Sequence, residues 1–232
     1  MTGMTSESCP RSEARRVGNG TGAVSRPTIG VFALQGDVRE HERVLAALGA
    51  RTTLVRAAGD LAGLDGLVIP GGESSVMDKL SRLLGLAPAV RAAIDDGLPV
   101  YGTCAGMIML ADRIANPITG QQSLGGLDIT VQRNAFGSQV DSFETRLSVP
   151  AVSEDPVHAV FIRAPAVLQA GPGVDVLASV PAERLESGVD CGLVPGSVPV
   201  AVRQGNLLAT SFHPEVTGDW TFHRYFLGMI AG

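Results

Sequence analysis

Residues 99–106 read Pro-Val-Tyr-Gly-Thr-Cys-Ala-Gly, an apolar strand that runs into Gly-x-Cys-x-Gly and on toward a helix. Few folds accommodate such a run. A strand that turns sharply into a helix needs positive φ values and close backbone approach, which glycine permits most easily. Cys104 then stands at the apex with its thiol projecting from the turn, and the unpaired N–H groups and dipole of the helix start favour a thiolate. A lone cysteine after a strand is more often a small core hydrophobe, so a nucleophile requires partners elsewhere in the chain.

Two further segments supply them. Thr210-Ser211-Phe212-His213-Pro214-Glu215 follows the apolar Leu207-Leu208-Ala209. Pro214 biases His213 toward extended geometry, and residues two apart on an extended chain face one side. His213 and Glu215 are therefore expected to point together, one ring nitrogen facing a thiol while the carboxylate holds the other. The second segment, Gly66-Leu67-Val68-Ile69-Pro70-Gly71-Gly72-Glu73-Ser74-Ser75, reads as a strand ending in a Pro-Gly-Gly loop that opens a helix. Bare backbone N–H groups suit a developing oxyanion, and Gly72 and Ala105 are the expected donors. Ser74 reads as the helix N-cap. The Lys and Ser/Thr of a phosphate-binding P-loop are missing.

Strand and helix periodicities alternate through the first half of the chain. Strands are expected over 28–34, 51–56, 66–69 and 99–102, and helices over 38–48, 74–84 and 87–96, with Leu45 and Leu48 inward. This βαβ succession implies a largely parallel sheet covered on both faces, with its site at the C-terminal strand edges. The second half is richer in β-structure, with strands expected over 127–132, 142–149, 159–162, 174–179, 198–203 and 206–210 and a closing helix over 220–230. Some of these strands are expected to be antiparallel.

The 232 residues carry 18 basic and 23 acidic side chains, a formal charge of −5, without a basic cluster interleaved with aromatics. Nucleic acid is an unfavoured partner for such a surface. A membrane is unfavoured too, since no apolar run reaches spanning length. Cys9, Cys104 and Cys191 form neither a disulfide framework nor a C-x-x-C metal site, which fits a reducing cytoplasm. Residues 1–27 are polar and rich in Gly, Ser and Arg, lack a signal-peptide core, and read as a disordered extension before a catalytic domain over 28–232.

The loop at 70–74, the elbow at 102–106 and the SFHPE box at 211–215, in that order, resemble class I (triad) glutamine amidotransferases. Ala33-Leu34-Gln35-Gly36-Asp37-Val38-Arg39-Glu40-His41, the segment 133–144 and Phe161-Ile162-Arg163-Ala164-Pro165 narrow the resemblance to the glutaminase subunit of pyridoxal 5′-phosphate synthase. The match extends from Thr28 to the C-terminus. It implies a three-layer, flavodoxin-like α/β fold with extra antiparallel strands in the second half. It also implies Cys104 as nucleophile, His213 and Glu215 as the other triad members, and Gly72, Glu73, Ser74, Arg133, Ile162 and Arg163 as contacts for L-glutamine. Glutamine carries an α-carboxylate and an α-ammonium. Arg133 or Arg163 could answer the former and Glu73 the latter, although an isolated Arg reads as a surface ion pair.

The resemblance further implies a separate synthase chain that receives ammonia and joins it to ribose 5-phosphate and glyceraldehyde 3-phosphate, in a hetero-oligomeric complex. No metal or organic cofactor is implied. The lengthened segment at 181–196, with Gly188, Cys191, Pro195 and Gly196, departs from the family pattern and reads as a surface loop. His41 is assigned to the site or to a partner surface, and His158 and His223 to structural or exposed positions. A cysteine peptidase or general amidase on a similar sheet, and a non-catalytic interaction module, are the rival readings. The three segments together make one prediction. A glutamine-analogue diazo-ketone should label Cys104 and spare Cys9 and Cys191, because an ordinary thiol is only a few per cent ionised at neutral pH. Peptide mapping that finds Cys191 preferentially alkylated would overturn the assignment.

Overall fold

The strands Gly66–Ile69 and Val100–Thr103 are buried at every residue, as parallel strands must be when helices cover both faces of their sheet. The computed structural model describes residues 26–136, 142–185 and 196–231. The tail at 1–25 with Cys9, residues 137–141 of the segment singled out above, and Gly188, Cys191 and Pro195 lie outside the described residues.

The first half builds β1 (Thr28–Phe32), α1 (Val38–Ala47), β2 (Arg51–Val55), β3 (Gly66–Ile69), α2 (Ser74–Leu83), α3 (Leu86–Asp95), β4 (Val100–Thr103) and α4 (Ala105–Leu110). The second half adds β5 (Ala111–Ile114), β6 (Leu127–Gln132), β7 (Phe143–Leu147), β8 (Val157–Phe161), β9 (Ala166–Ala170), β10 (Asp175–Pro181), β11 (Ser197–Gln204), β12 (Leu207–Thr210), α5 (Pro214–Thr217) and α6 (Thr221–Ala231). The main sheet has the order β10-β11-β12-β4-β3-β1-β2. Its β12-β4-β3-β1-β2 portion is parallel, while β10, β11 and β12 pair antiparallel. Smaller sheets, β5-β6-β9 and β7-β8, complete the α/β architecture.

Alternation along each strand divides the core between the two faces. Ile29 and Val31 of β1, Val68 of β3, Tyr101 of β4 and Leu208 of β12 pack with Leu45 of α1 and with Phe222 and Phe226 of α6. Phe32, Leu67, Ile69, Val100 and Ala209 face the opposite side, where Met77, Leu86, Val90 and Ile108 of α2, α3 and α4 cover them. On α1 the inward stripe is His41, Val44 and Leu45. Leu48 is only half-buried at the helix end, a correction to its expected inward role, because the chain there is already turning toward β2.

Two strands, β5 and β9, were not anticipated. β5 follows α4 with no breaker between them and alternates poorly, with Asp112 and Arg113 exposed; β9 is recognised only through its antiparallel partner β6. Helix α2 is capped by Glu73 and not by Ser74, since the Glu73 carboxylate accepts from the Ser75 N–H at 3.3 Å and the Ser75 hydroxyl at 2.9 Å. Ser74 is the first residue inside the helix. Among the described residues no helix is long and apolar enough to cross a membrane.

The elbow depends on Gly106. A Cβ there would collide with the carbonyl oxygen of Ile69, backbone of a central strand that cannot yield, and the Gly106 backbone in turn packs against Gly102. Gly106→Ala should therefore lower stability by about 1–3 kcal/mol, the usual cost of overpacking, read as a lower urea midpoint. An unchanged midpoint would show that α4 can lift from β3 at no cost.

Candidate active site

Sheet register assembles the site. Ile69 of β3 and Ala209 of β12 both pair with Gly102 of β4, so adjacent parallel strands end level with one another. The segments that leave β1, β3, β4 and β12 carry Gln35 and Asp37, Gly72 and Glu73, Cys104, and His213 respectively. All of these line one cavity of about 310 Å³, at the C-terminal edge where doubly wound sheets bind ligands. Ser74, Ile108, Arg133, Asn134, Ile162, Arg163 and Val216 complete its wall. Every expected site residue is therefore at the cavity except Ala105 and Glu215, which lie buried behind it.

Cys104 has φ 47° and ψ −102°, a conformation that costs an ordinary residue of order 1–3 kcal/mol. Its N–H donates to Thr210 O at 2.8 Å, and its carbonyl accepts from Met107 N–H at 3.1 Å. Those bonds lock the turn. As first residue of α4, Ala105 has no carbonyl one turn earlier to receive its N–H, which leaves that donor free for an anion. Among the described residues, positive φ at a non-glycine occurs at Cys104 (47°), Asn134 (51°) and Arg163 (45°). All three line the cavity, so the strain of the fold is gathered where a ligand would sit.

His213 and Glu215 do meet, for a reason other than the one expected. His213 caps α5, Pro214 opens it, and Glu215 lies within its first turn, so the pair is joined across a helix start and not along an extended strand. His213 Nδ1 stands 2.7 Å from Glu215 Oε1 and 3.4 Å from Asp37 Oδ2. The His213 N–H donates to Val160 O of β8 at 3.0 Å, which fixes the loop. Gly71 leaves room for the ring: a Cβ there would lie 2.8 Å from His213 Nδ1 and 3.0 Å from Asp37 Oδ2. Burial disfavours protonation of His213, but hydrogen bonds with Asp37, Cys104 and Glu215 outweigh it and raise its pKa above the ordinary imidazole value. An imidazole in such surroundings can hold a proton and give it to a leaving group.

Asp37, His213 and Glu215 are also grouped closely enough to suggest a cation site. The 2.7 Å separation of His213 Nδ1 and Glu215 Oε1 argues otherwise. Two ligands of a tetrahedral zinc, each at about 2.0 Å, stand about 3.3 Å apart, whereas 2.7 Å is the length of a charge-assisted hydrogen bond.

The two arginines differ in kind. Arg133 is buried, and its guanidinium donates to Glu73 Oε1 at 2.9 Å and Gln121 Oε1 at 3.1 Å. Gln121 in turn donates to Ser74 Oγ at 3.0 Å. Arg133 is thus committed to the loop at the head of α2, and is not the surface ion pair that an isolated Arg suggests. Arg163 is exposed and makes no ion pair among the described residues, which leaves it available to an incoming carboxylate. Behind the wall lie His41, fully buried beside Glu215, and His223, also buried. His41 therefore lies in the interior behind the cavity and not on the exposed surface. His158 is half-exposed and pairs with Glu144 at 2.8 Å.

Sequence reasoning missed Gln35, Asp37, Asn134 and Gln121 as neighbours of the site. Gln35 and Asp37 carried a usable signal: they follow the first strand of a βαβ unit, where a doubly wound sheet opens its crevice. Gln35 Oε1 accepts from the Glu73 N–H at 2.7 Å, and the Asp37 N–H donates to Gly71 O at 3.1 Å. Both tie the first loop to the second.

The sequence matches the SNO glutamine amidotransferase family over residues 31–231. A protein of Clavibacter michiganensis subsp. michiganensis (strain NCPPB 382) named pyridoxal 5′-phosphate synthase subunit PdxT is 63% identical over 204 residues, 88% of this chain and 91% of the relative. One of the same name from Leifsonia xyli subsp. xyli (strain CTCB07) is 59% identical over 206 residues, 89% of this chain and 97% of the relative. The fold is similar to a solved structure described as a glutamine amidotransferase, with TM-score 0.76 and 45% identity, covering 88% of this chain and 99% of that one.

The buried histidines make stability depend on pH. Burial pushes His223 down to about 4, and holds His41 well below its ordinary value, with further lowering from His223 and His213. As pH falls below about 6.5 the unfolded chain takes up protons that the folded chain refuses, so stability is lost toward acid until the folded value is reached. The effect of His223, including the lowering it exerts on His41, is read by comparing wild type with His223→Leu in urea unfolding. Their difference should change by about 1.4 kcal/mol per pH unit between pH 6.5 and 4; a difference independent of pH would mean that His223 is not held neutral.

Proposed function

The chain belongs to the SNO glutamine amidotransferase family, and from that premise we propose that it is the glutaminase subunit of a pyridoxal 5′-phosphate synthase, working through Cys104, His213 and Glu215. The observation that carries the proposal is the meeting, in one cavity, of a cysteine on a strained elbow with an imidazole hydrogen-bonded to a carboxylate at 2.7 Å.

The chemistry follows from the charges. His213 holds the proton given up by the thiol, and Cys104 attacks the side-chain carboxamide carbon of L-glutamine as the thiolate. The carbonyl oxygen becomes an oxyanion that accepts from the Gly72 and Ala105 N–H groups. His213 passes its proton to the departing nitrogen, which leaves as ammonia once the C–N bond breaks. Water then attacks the γ-glutamyl thioester with His213 as base, glutamate departs, and the thiol is restored. Glu215 and Asp37 stabilise the imidazolium throughout. Glu73 and Ser74 at the head of α2, Arg133 behind them, and Ile162 and Arg163 across the cavity bind the amino-acid end of the substrate. The exposed Arg163 suits the α-carboxylate and Glu73 the α-ammonium.

The ammonia goes to a separate synthase chain in a hetero-oligomeric complex, where it joins ribose 5-phosphate and glyceraldehyde 3-phosphate. The reaction needs a reduced thiol, which suits a cytoplasmic setting. The Gly71–Gly72 peptide is the switch through which the partner acts. Its carbonyl is held by the Asp37 N–H, so the orientation of the Gly72 N–H is coupled to the segment that follows β1. One oxyanion donor is worth about a hundredfold in rate or more.

Steady-state glutamine hydrolysis by the pure chain, with increasing synthase subunit, tests this reading. A low rate that climbs to saturation is expected, and Cys104→Ala should reduce the saturated rate by at least about a thousandfold. Hydrolysis of peptides or asparagine in preference to glutamine would favour the amidase reading instead. A rate already high without the partner would remove the switch and leave the triad intact.

A further inference from the structure

Glu215 uses one oxygen for His213 and leaves the other to be explained. Its Oε2 is fully buried and has no hydrogen-bond partner among the described residues. Facing it at 3.6 Å is Nε2 of His41, itself 3.1 Å from Thr103 Oγ1. On the far side of the ring, His41 Nδ1 lies 2.9 Å from His223 Nε2, and His223 Nδ1 is buried without a partner among the described residues. His41 comes from α1, His223 from α6, Thr103 from the end of β4 and Glu215 from α5, so four elements converge behind the catalytic imidazole.

Two proton arrangements are open to the pair of neutral rings, and they differ in what they leave stranded. If His41 carried its proton on Nδ1 and gave it to His223, the His223 Nδ1–H would be a buried donor with no acceptor among the described residues. A bare lone pair of His41 would also face the Glu215 carboxylate. If His223 donates from Nε2, His41 carries its proton on Nε2, where Thr103 Oγ1 accepts it and the Glu215 carboxylate lies 3.6 Å away, and the unmet group on the two rings is a lone pair on His223. Orphaned buried N–H groups are the rarer and costlier defect, so the second arrangement prevails.

We propose that His41, as the neutral Nε2–H form fixed by His223, is a positioning residue that turns its N–H end toward the second oxygen of Glu215 and thereby sets the carboxylate that orients His213. The inference rests on the glutaminase reading above and deepens it. His41 never touches substrate, since it lines no part of the cavity. It acts through Glu215: a carboxylate hydrogen-bonded to His213 at one oxygen and packed against the N–H end of His41 at the other keeps His213 aimed at Cys104 while the imidazolium forms and discharges. The donations then run in one direction, from His223 to His41 and from His41 to Thr103, with the positive end of the His41 N–H lying 3.6 Å from Glu215 Oε2 and His213 meeting the opposite carboxylate oxygen.

The test compares His41→Leu with His41→Gln in the full chain saturated with synthase subunit. Gln can place an N–H near the position of Nε2, whereas Leu fills similar space and donates nothing. Leu should lower kcat for glutamine hydrolysis by about tenfold, the scale of losing an oriented dipole beside a buried carboxylate where the effective dielectric is low, with KM unchanged and Gln restoring most of the rate. Equal losses in both variants, a wild-type kcat in His41→Leu, or an effect confined to KM would overturn the proposal. Nitrogen-15 NMR of the wild-type chain reads the ring directly and requires no variant to fold: His41 should be a neutral Nε2–H tautomer at neutral pH, and an Nδ1–H form or an imidazolium there overturns it. A wild-type complex that does not hydrolyse glutamine would sink the functional reading and leave this tautomer measurement standing.

Discussion

The molecule depends on the parallel registration of β4 between β3 and β12. Gly102 pairs with Ile69 on one side and Ala209 on the other, and Thr103 pairs with Thr210. A parallel ladder leaves strands free to end level, and side-chain alternation makes a one-residue slip prohibitive when both faces are buried. Such a slip here would turn Tyr101 and Leu208 out of one core and Val100 and Ala209 out of the other. Cys104, one residue past the end of β4, and His213, three past the end of β12, inherit their positions from that ladder.

Electrostatics at the cavity follows from packing. His213 is enclosed by Gly71, Glu215 and Asp37, and its proton is retained because two carboxylates and the sulfur surround it in a poorly hydrated place. Low effective dielectric strengthens those contacts and makes any unmatched polar group costly. The histidines behind Glu215 are buried neutral for the same reason that His213 is held charged: each takes the state its neighbours can satisfy.

The antiparallel second half frames the other side of the cavity. Phe143 and Phe161 stack with ring centroids 4.5 Å apart, and Phe161 also meets Phe212 and Phe136. This aromatic group ties the β7–β8 pair to the segment bearing His213, and it places Ile162 and the strained Arg163 directly after a fixed strand end. Arg133, at the close of β6, reaches across to Glu73 and Gln121. The cavity-facing loop at the head of α2 is thus held by a residue 60 positions away in sequence.

Local chemistry made much of this legible in the sequence. The Gly-x-Cys-x-Gly turn, the Pro-Gly-Gly loop and the His-Pro-Glu box each dictate a short-range conformation, and apolar runs with period two or near 3.6 dictate strands and helices. The parallel α/β layers, and the meeting of Cys104 and His213 at one cavity, follow from those. Properties of distant pairs were not legible. Asp37 beside His213, Arg133 on Glu73, and His41 with His223 behind Glu215 join residues whose separation in the chain says nothing of their separation in space. Even the contact between His213 and Glu215 arose from a helix start that the extended reading did not foresee. The sequence determined which groups stand at the strand ends. Only the tertiary structure decided which were buried together, and burial sets whether a histidine is a charged acid, a neutral donor or a surface residue.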